Sequence, residues 1–244
     1  MKAVITAGAP IEGEYAMLAG TKLKALAPVR GRTMLDRTID ALRDAGVTRI
    51  AVVGNDEVQR TLEGRIEKKI ADGGSGAKNV LGALNAWPED GQPLLYVTCD
   101  MPYVLPQHIR EFLERVPRDA LVMPLAEIED FTVRFPGAPP FGITLAGECV
   151  VNGGIFHIPA GASARIRSLA TAMFDARKAP WRMATIAGPA ILFKFLLRRA
   201  SIHELEARAT KILGLPVQAV RRCAPELAYD ADTADEYRYA IEHE

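Results

Sequence analysis

The 244-residue chain is short of cysteine. Cys99, Cys149 and Cys223 are an odd number, far apart, with no CxxC pair, so neither a disulfide framework nor a cysteine-based zinc site is expected. It also has no excess of either charge. With 30 Lys+Arg against 30 Asp+Glu there is no global attraction to nucleic acid or anionic lipid, and any anion site must be local. Long apolar runs are missing too. The best stretch, residues 190–197, is interrupted by Lys194, so a transmembrane helix is not expected. The N-terminus reaches Glu12 and Glu14 without the apolar region of a signal peptide, which with the cysteine usage makes the cytoplasm the expected compartment. No fixed-period repeat or low-complexity tract occurs, which argues against a solenoid. The four histidines, His108, His157, His203 and His243, are scattered without metal-ligand spacing.

What is present is alternation. Residues 2–7 (KAVITA) have strand length and stop at Gly8. After a long Gly/Pro-containing loop, residues 33–45 read as a helix, with Thr33 as N-cap, Leu35, Ile39 and Leu42 as its apolar stripe, and Gly46 as its stop. RIAVV at 49–53 is a second buried strand, and strand–helix–strand in this order makes a parallel βαβ unit. LLYVT (94–98) is another strand, and Pro106 opens a helix reaching about residue 116. ALVM (120–123) is a fourth strand. From 131 to 158 the pieces FTVRF, GITLA, CVV and IFHI suggest a β-rich insertion. Residues 160–213 read as mostly helical, with Ser201 and Glu204 as a capping box and the apolar stretch AILFKFLL, apolar enough for core or for an interface, assigned to the core. Residues 217–220 suggest one more strand, and Thr233 starts a last helix. The expected fold is α/β: one domain over residues 1–244, a mixed, mostly parallel sheet flanked by helices. Residues 1–125 carry the strand–helix alternation, and residues 126–244 the β-rich region and the C-terminal helices.

In such sheets ligands bind beyond the carboxyl ends of the strands. Three features fall there. The loop from Ala7 to Arg32 is glycine-containing, and between Thr21 and Arg32 it carries Lys22, Lys24, Arg30 and Arg32 with no acid. Such backbone can approach phosphate oxygens, although an ordinary solvated loop has the same composition. It matches neither GxxxxGK[ST] nor GxGxxG, which weighs against a P-loop or a nicotinamide oxidoreductase. Asp100 follows a buried strand, where it suits a hard divalent cation or equally a turn. Asp230, Asp232, Thr233, Asp235 and Glu236 crowd the last helix start, where capping alone would account for them.

Together, in this order, these features resemble the MobA-like nucleotidyltransferases. VITAGAP and LKALAPVRGRTMLDRTIDAL match the family's glycine-rich loop and lysine segment, LLYVTCDMP its strand ending in Asp-x-Pro, and DADTADE its C-terminal Asp-x-Asp-Thr motif. The likeness runs from Lys2 to Glu236. It implies a fold akin to GT-A nucleotide-diphospho-sugar transferases, with residues 1–125 as a nucleotide-binding half and residues 126–244 as an acceptor region with C-terminal helices. It also implies that Asp100 and Asp232 bind Mg²⁺, that Ala7, Gly8 and Ala9 wrap an NTP triphosphate, and that Lys24 with Asp100 carries the catalysis. Gly74, Ser75, Gly76 and Asn79, before a helix at about 79–86, match the family's base-recognition loop; Asn152 and Gly153 match its acceptor contacts. The chain departs from the pattern at Ala9-Pro10-Ile11-Glu12, where relatives carry a second glycine and then an arginine, and Lys22 is the residue available to replace that arginine. Ala234 replaces the family's proline.

The activity implied is Mg²⁺-dependent transfer of a nucleotidyl group from an NTP to a small phosphorylated or hydroxylated acceptor, with release of pyrophosphate. The partners are then an NTP and a small-molecule acceptor, with no nucleic acid and no membrane. Two alternatives are a degenerate protein that binds a nucleotide or nucleotide-sugar without turnover, and a GT-A-like glycosyltransferase.

Overall fold

The computed structural model describes residues 1–88, 91–139, 142–176, 186 and 188–243. The first strand, β1 (Lys2–Thr6), lies parallel between β4 (Arg49–Gly54) and β6 (Leu94–Thr98), with Thr6 level with both Val53 and Thr98. The main sheet continues outward from β4 to β5 (Lys68–Ala71). On the other side the order is β6, β10 (Ile155–Ile158), β7 (Leu121–Glu127), β9 (Glu148–Asn152) and β8 (Ile143–Leu145), and β11 (Val217–Val220) pairs with β7. Strand β10 is antiparallel to β6, so the sheet is mixed, and strands from both halves of the sequence share it. A small ribbon, β2 (Pro28–Val29) and β3 (Arg32–Thr33), precedes the second helix.

The helices are α1 (Gly13–Ala19), α2 (Met34–Asp44), α3 (Asp56–Thr61), α4 (Gly76–Leu84), α5 (Pro106–Glu114), α6 (Ile128–Arg134), α7 (Ser163–Ala176), α8 (Pro189–Leu196), α9 (Ile202–Leu213) and α10 (Ala234–Glu242). Thr33 caps α2, its hydroxyl accepting from the Asp36 N–H at 3.0 Å. Both faces of β1 are covered, which explains its unbroken apolar run. Ala3 and Ile5 pack with Leu35, Ile39 and Leu42 of α2 and Phe112 of α5. Val4 faces Ala83 and Leu84 of α4 on the other side. Each of these large side chains is essentially water-free, a burial worth roughly 1.5–3 kcal/mol apiece.

The structure corrects several expectations. FTVRF is not a strand: Phe131 to Arg134 lie in α6, and Phe131 and Phe135 meet one turn apart, rings 5.1 Å between centroids. Alternation over so short a run is compatible with either period. The long loop after β1 contains α1, and the helix expected at 79–86 begins at Gly76. AILFKFLL is not core. It forms α8, which buries none of its side chains; Phe193 is 64% exposed and Leu196 70%. Part of the 160–213 helical run, at 177–185 and 187, lies outside the described residues.

Candidate active site

Because Thr6 and Thr98 are register partners, the segments leaving β1 and β6 emerge side by side at the carboxyl edge of the sheet. The β1 loop is pinned at its neck. The Lys24 N–H donates to the Ala9 carbonyl (3.0 Å) and the Ile11 N–H to the Lys22 carbonyl (2.9 Å), forming a short antiparallel bridge across Pro10 and Leu23. Between these bonds the chain makes α1, which ends at Gly20 in the left-handed region (φ 65°). Tyr15 of α1 stacks on Tyr237 of α10 (4.8 Å) and donates to the Ala231 carbonyl (2.8 Å).

That pinning delivers Lys24 to a buried position. Its ammonium donates to Asp100 Oδ2 at 3.0 Å and also contacts Asp232 Oδ1. The C-terminal segment is brought there by an aromatic cluster in which Tyr229 meets Tyr103 edge-on (4.9 Å) and Phe135 at 4.8 Å. The Ala231 N–H then donates to the Asp100 carbonyl at 3.0 Å. Burial pulls the Lys24 pKa down, but Asp100 and Asp232 more than reverse this, and the net shift is upward. Lys24 is a fixed cation.

A third carboxylate, Asp230, lies behind the pair. Desolvation raises its pKa well above the usual range, with Asp100 and Asp232 adding to the shift. Both Asp230 Oδ1 and Asp100 Oδ1 are buried without a hydrogen-bond partner. Unpartnered carboxylate oxygens are costly unless something binds them, and hard acceptors of this kind suit a divalent cation such as Mg²⁺. Among the described residues no group of three His, Cys, Asp or Glu side chains is placed to hold a metal ion by itself. A cation held here would fill its remaining positions with water and substrate oxygens, as Mg²⁺ commonly does.

Beside this cluster opens a cleft of about 770 Å³, lined by Gly8, Ala9, Asp72, Gly74, Ser75, Gly76, Asn79, Tyr96 and Asp100 among others. Gly8 is required by proximity: a Cβ there would stand 2.6 Å from Asn79 Nδ2 and 3.2 Å from Asp72. Asn79 is buried and accepts from the Gly73 N–H (2.7 Å); Asp72 accepts from the Gly74 N–H (2.9 Å). Ser75 caps α4, accepting from the Lys78 N–H (3.3 Å). On the floor, Tyr96 and Thr6 hydroxyls meet at 3.0 Å. On the far side of Lys24 a second hollow of about 520 Å³ is walled by Glu12, Glu14, Tyr15, Asp232 and Thr233.

The structure therefore gathers Gly8, Ala9, Lys24, Gly74, Ser75, Gly76, Asn79, Asp100 and Asp232 around adjoining hollows. Ala7 lies fully buried just behind them, its N–H bonded to the Val53 carbonyl at 2.8 Å. Lys22 is exposed and lines neither hollow. Arg32 pairs with Asp40 instead of turning inward. Asn152 lines a separate apolar cavity, and Gly153 packs where a Cβ would fall 2.6 Å from the Leu227 carbonyl. Neighbouring Gly154 is equally tight, 2.3 Å from Thr98 Oγ1 on the same measure, so this glycine pair serves close packing at the sheet edge. Sequence reasoning missed Asp72, Tyr96, Thr6 and the buried role of Asp230. Asp72 ends the short strand β5, too polar to recognise, and Asp230 looked like one more residue of a helix start.

The family model for the MobA-like NTP transferase domain matches residues 17–242. No curated protein matches the sequence. Among solved structures, a hypothetical transferase from Thermus thermophilus superposes with a TM-score of 0.81 at 28% identity, covering 97% of this chain and 100% of that one. The 2-C-methyl-D-erythritol 4-phosphate cytidylyltransferase from the same species gives 0.55 at 17% identity, with 98% and 96% covered. Rv0371c from Mycobacterium tuberculosis, in complex with manganese, gives 0.56 at 16% identity, with 100% and 98% covered. With the family's motifs meeting at one sheet edge and its model spanning most of the sequence, the chain belongs to the MobA-like NTP transferase family and is an enzyme of the nucleotidyl-transferring class.

Proposed function

We propose that the protein transfers a nucleotidyl group from an NTP to a small phosphorylated or hydroxylated acceptor, releasing pyrophosphate with the help of Mg²⁺. The observation that carries this reading is the buried Lys24 ammonium held between Asp100, which lines the 770 Å³ cleft, and Asp232, which with Lys24 lines the adjoining 520 Å³ hollow. The base and ribose would lie in the cleft, against Asp72, Asn79 and the start of α4. The phosphates would run along Gly8 and Ala9 towards Lys24. Bound between Asp100 and its acidic neighbours, Mg²⁺ would supply charge neutralisation for the phosphate oxygens. Attack on the α-phosphorus builds negative charge on the bridging and leaving oxygens. Lys24, already protonated and fixed, meets that charge without reorganising. A phosphate acceptor arrives ionised, so the scarcity of a candidate base suits it.

The test is pyrophosphate release from each of the four NTPs with Mg²⁺ and a panel of sugar and polyol phosphates. One NTP and one acceptor giving release, lost in Asp100→Asn, supports the reading. Release from none, with intact nucleotide binding, removes it. The second reading is binding of a finished nucleotide-sugar, and one observation favours it: Lys24 is the single basic residue lining a hollow that Glu12 and Glu14 wall. Such a site suits a diphosphate better than a triphosphate. Stabilisation by nucleotide-sugars alone would select that reading.

A further inference from the structure

Helix α8 is held to α9 by the Lys194–Glu204 ion pair and leaves much of its length exposed. Its half-buried side, Ile191 and Leu192, faces the body, while Phe193, Phe195, Leu196 and Leu197 are exposed, Leu196 to 70%. After Leu197 the chain turns sharply. Arg198 adopts φ 57°, and the Arg199 and Ala200 N–H groups return to the Lys194 carbonyl at 2.7 and 3.2 Å. The Arg198 carbonyl accepts from the Ala146 N–H (2.9 Å), tying the helix end to the β8–β9 turn. The turn sets the exposed side chains of Arg198 and Arg199 beside the apolar ridge, and neither guanidinium has a partner among the described residues.

The sequence around the helix is equally lopsided. Residues 176–203 contain Arg177, Lys178, Arg182, Lys194, Arg198 and Arg199 and not one Asp or Glu, in a chain with 30 basic and 30 acidic residues overall. The rest of the chain is therefore net acidic. Exposed Phe and Leu beside unpaired arginines are the ingredients of an interfacial helix, whose apolar side enters the headgroup boundary while its cations meet anionic lipid.

We infer that α8, with Arg198 and Arg199, docks the protein on the surface of an anionic phospholipid bilayer. This departs from the expectation of no membrane partner, and it stands independently of the transferase reading. It is peripheral binding: among the described residues no helix is long and apolar enough to cross a membrane. Charge complementarity selects the occupant. A second copy of the chain, packed patch to patch by a two-fold axis, would gather the unpaired arginines of both copies into one interface with no acid in residues 176–203 to neutralise them. An anionic surface neutralises them.

The experiment is flotation of the full chain with vesicles of phosphatidylcholine alone or mixed with phosphatidylserine. Two double variants accompany it, Phe193→Ser with Leu196→Ser and Arg198→Glu with Arg199→Glu, each checked for an unchanged melting temperature. The wild type should float with the mixed vesicles, weaken at high salt, and not float with phosphatidylcholine alone. The arginine reversal should lower partitioning by about thirtyfold or more, and the apolar variant should abolish it. Flotation with neither vesicle, equal flotation with both, or flotation unchanged by the variants overturns the inference. So does sedimentation showing a dimer that Phe193→Ser dissolves, because the ridge would then be covered by a second copy.

Discussion

Lys24 is the residue on which the site's electrostatics turn. It is almost fully buried, and the Asp232 side chain is 64% exposed against 14% for Asp100, so of its two contacts the pair with Asp100 is the better shielded from solvent. Replacing Lys24 with alanine removes the one cation facing three carboxylates. Turnover should fall by about 100- to 1000-fold, as when one transition-state donor is lost. A steady-state pyrophosphate assay checks this, and near-normal turnover would place the phosphates elsewhere. Asp100→Asn should abolish metal-dependent nucleotide binding. Asp230→Asn against Asp232→Asn then reveals which carboxylate completes the metal site: unpartnered Asp230 Oδ1 competes with the more accessible Asp232. Buried His157 and His108 both contribute to the acid response, burial lowering the pKa of each. His157 is buried on β10 and donates to the Ala120 carbonyl (2.9 Å), and burial lowers its pKa below the ordinary 6.5. Below about pH 6.5 the unfolded chain therefore binds a proton that the folded chain refuses, and stability falls as pH falls through that value. Melting curves between pH 7.5 and 5.5 should show this, with a flatter slope in His157→Gln; an identical slope would remove His157 from the explanation.

Helix α10 links structure to site at the scale of the element. Thr233 accepts from the Glu236 N–H (3.3 Å), and Glu236 Oε2 accepts from the N–H groups of Asp232 (2.9 Å) and Thr233 (2.7 Å). The capping box that ends the chain's last loop thus also fixes the backbone of Asp232. Thr233→Ala should cost about 1 kcal/mol, visible as a lower melting temperature, and should weaken nucleotide binding through Asp232. Loss of stability with unchanged binding would separate the two roles. Elements of this kind were legible from the sequence: Thr33, Ser201 and Thr233 cap the helices they were expected to cap, because a cap is a local matter of one hydroxyl and one N–H. Elements whose state depends on distant partners were not. Helix α1 packs where Tyr15 has Tyr237 to stack on, and α6 where Phe131 and Phe135 have Tyr229 to meet, partners absent from any local window of the sequence. Helix α8 reversed the usual inference from hydrophobicity to burial.

For the whole molecule, the parallel core of β5, β4, β1 and β6 puts the site loops that leave β1, β5 and β6 at one sheet edge, where the Tyr229 cluster adds the C-terminal segment. That arrangement followed from strand–helix–strand order, so the location of the site was readable before its contents. Its contents came from residues that short motifs mark, Gly8, Lys24, Asp100 and Asp232, while Asp72, Tyr96 and Asp230 needed the fold to bring them in. The central claim is that this edge binds an NTP through a divalent cation held at Asp100. It is tested most directly by melting the wild type and Asp100→Asn with each of ATP, GTP, CTP and UTP, with and without Mg²⁺. At about 100 times the dissociation constant a ligand adds roughly 2.7 kcal/mol. One NTP should therefore stabilise the wild type only when Mg²⁺ is present, and Asp100→Asn should lose that gain; equal stabilisation of both proteins, or none by any NTP, would contradict it.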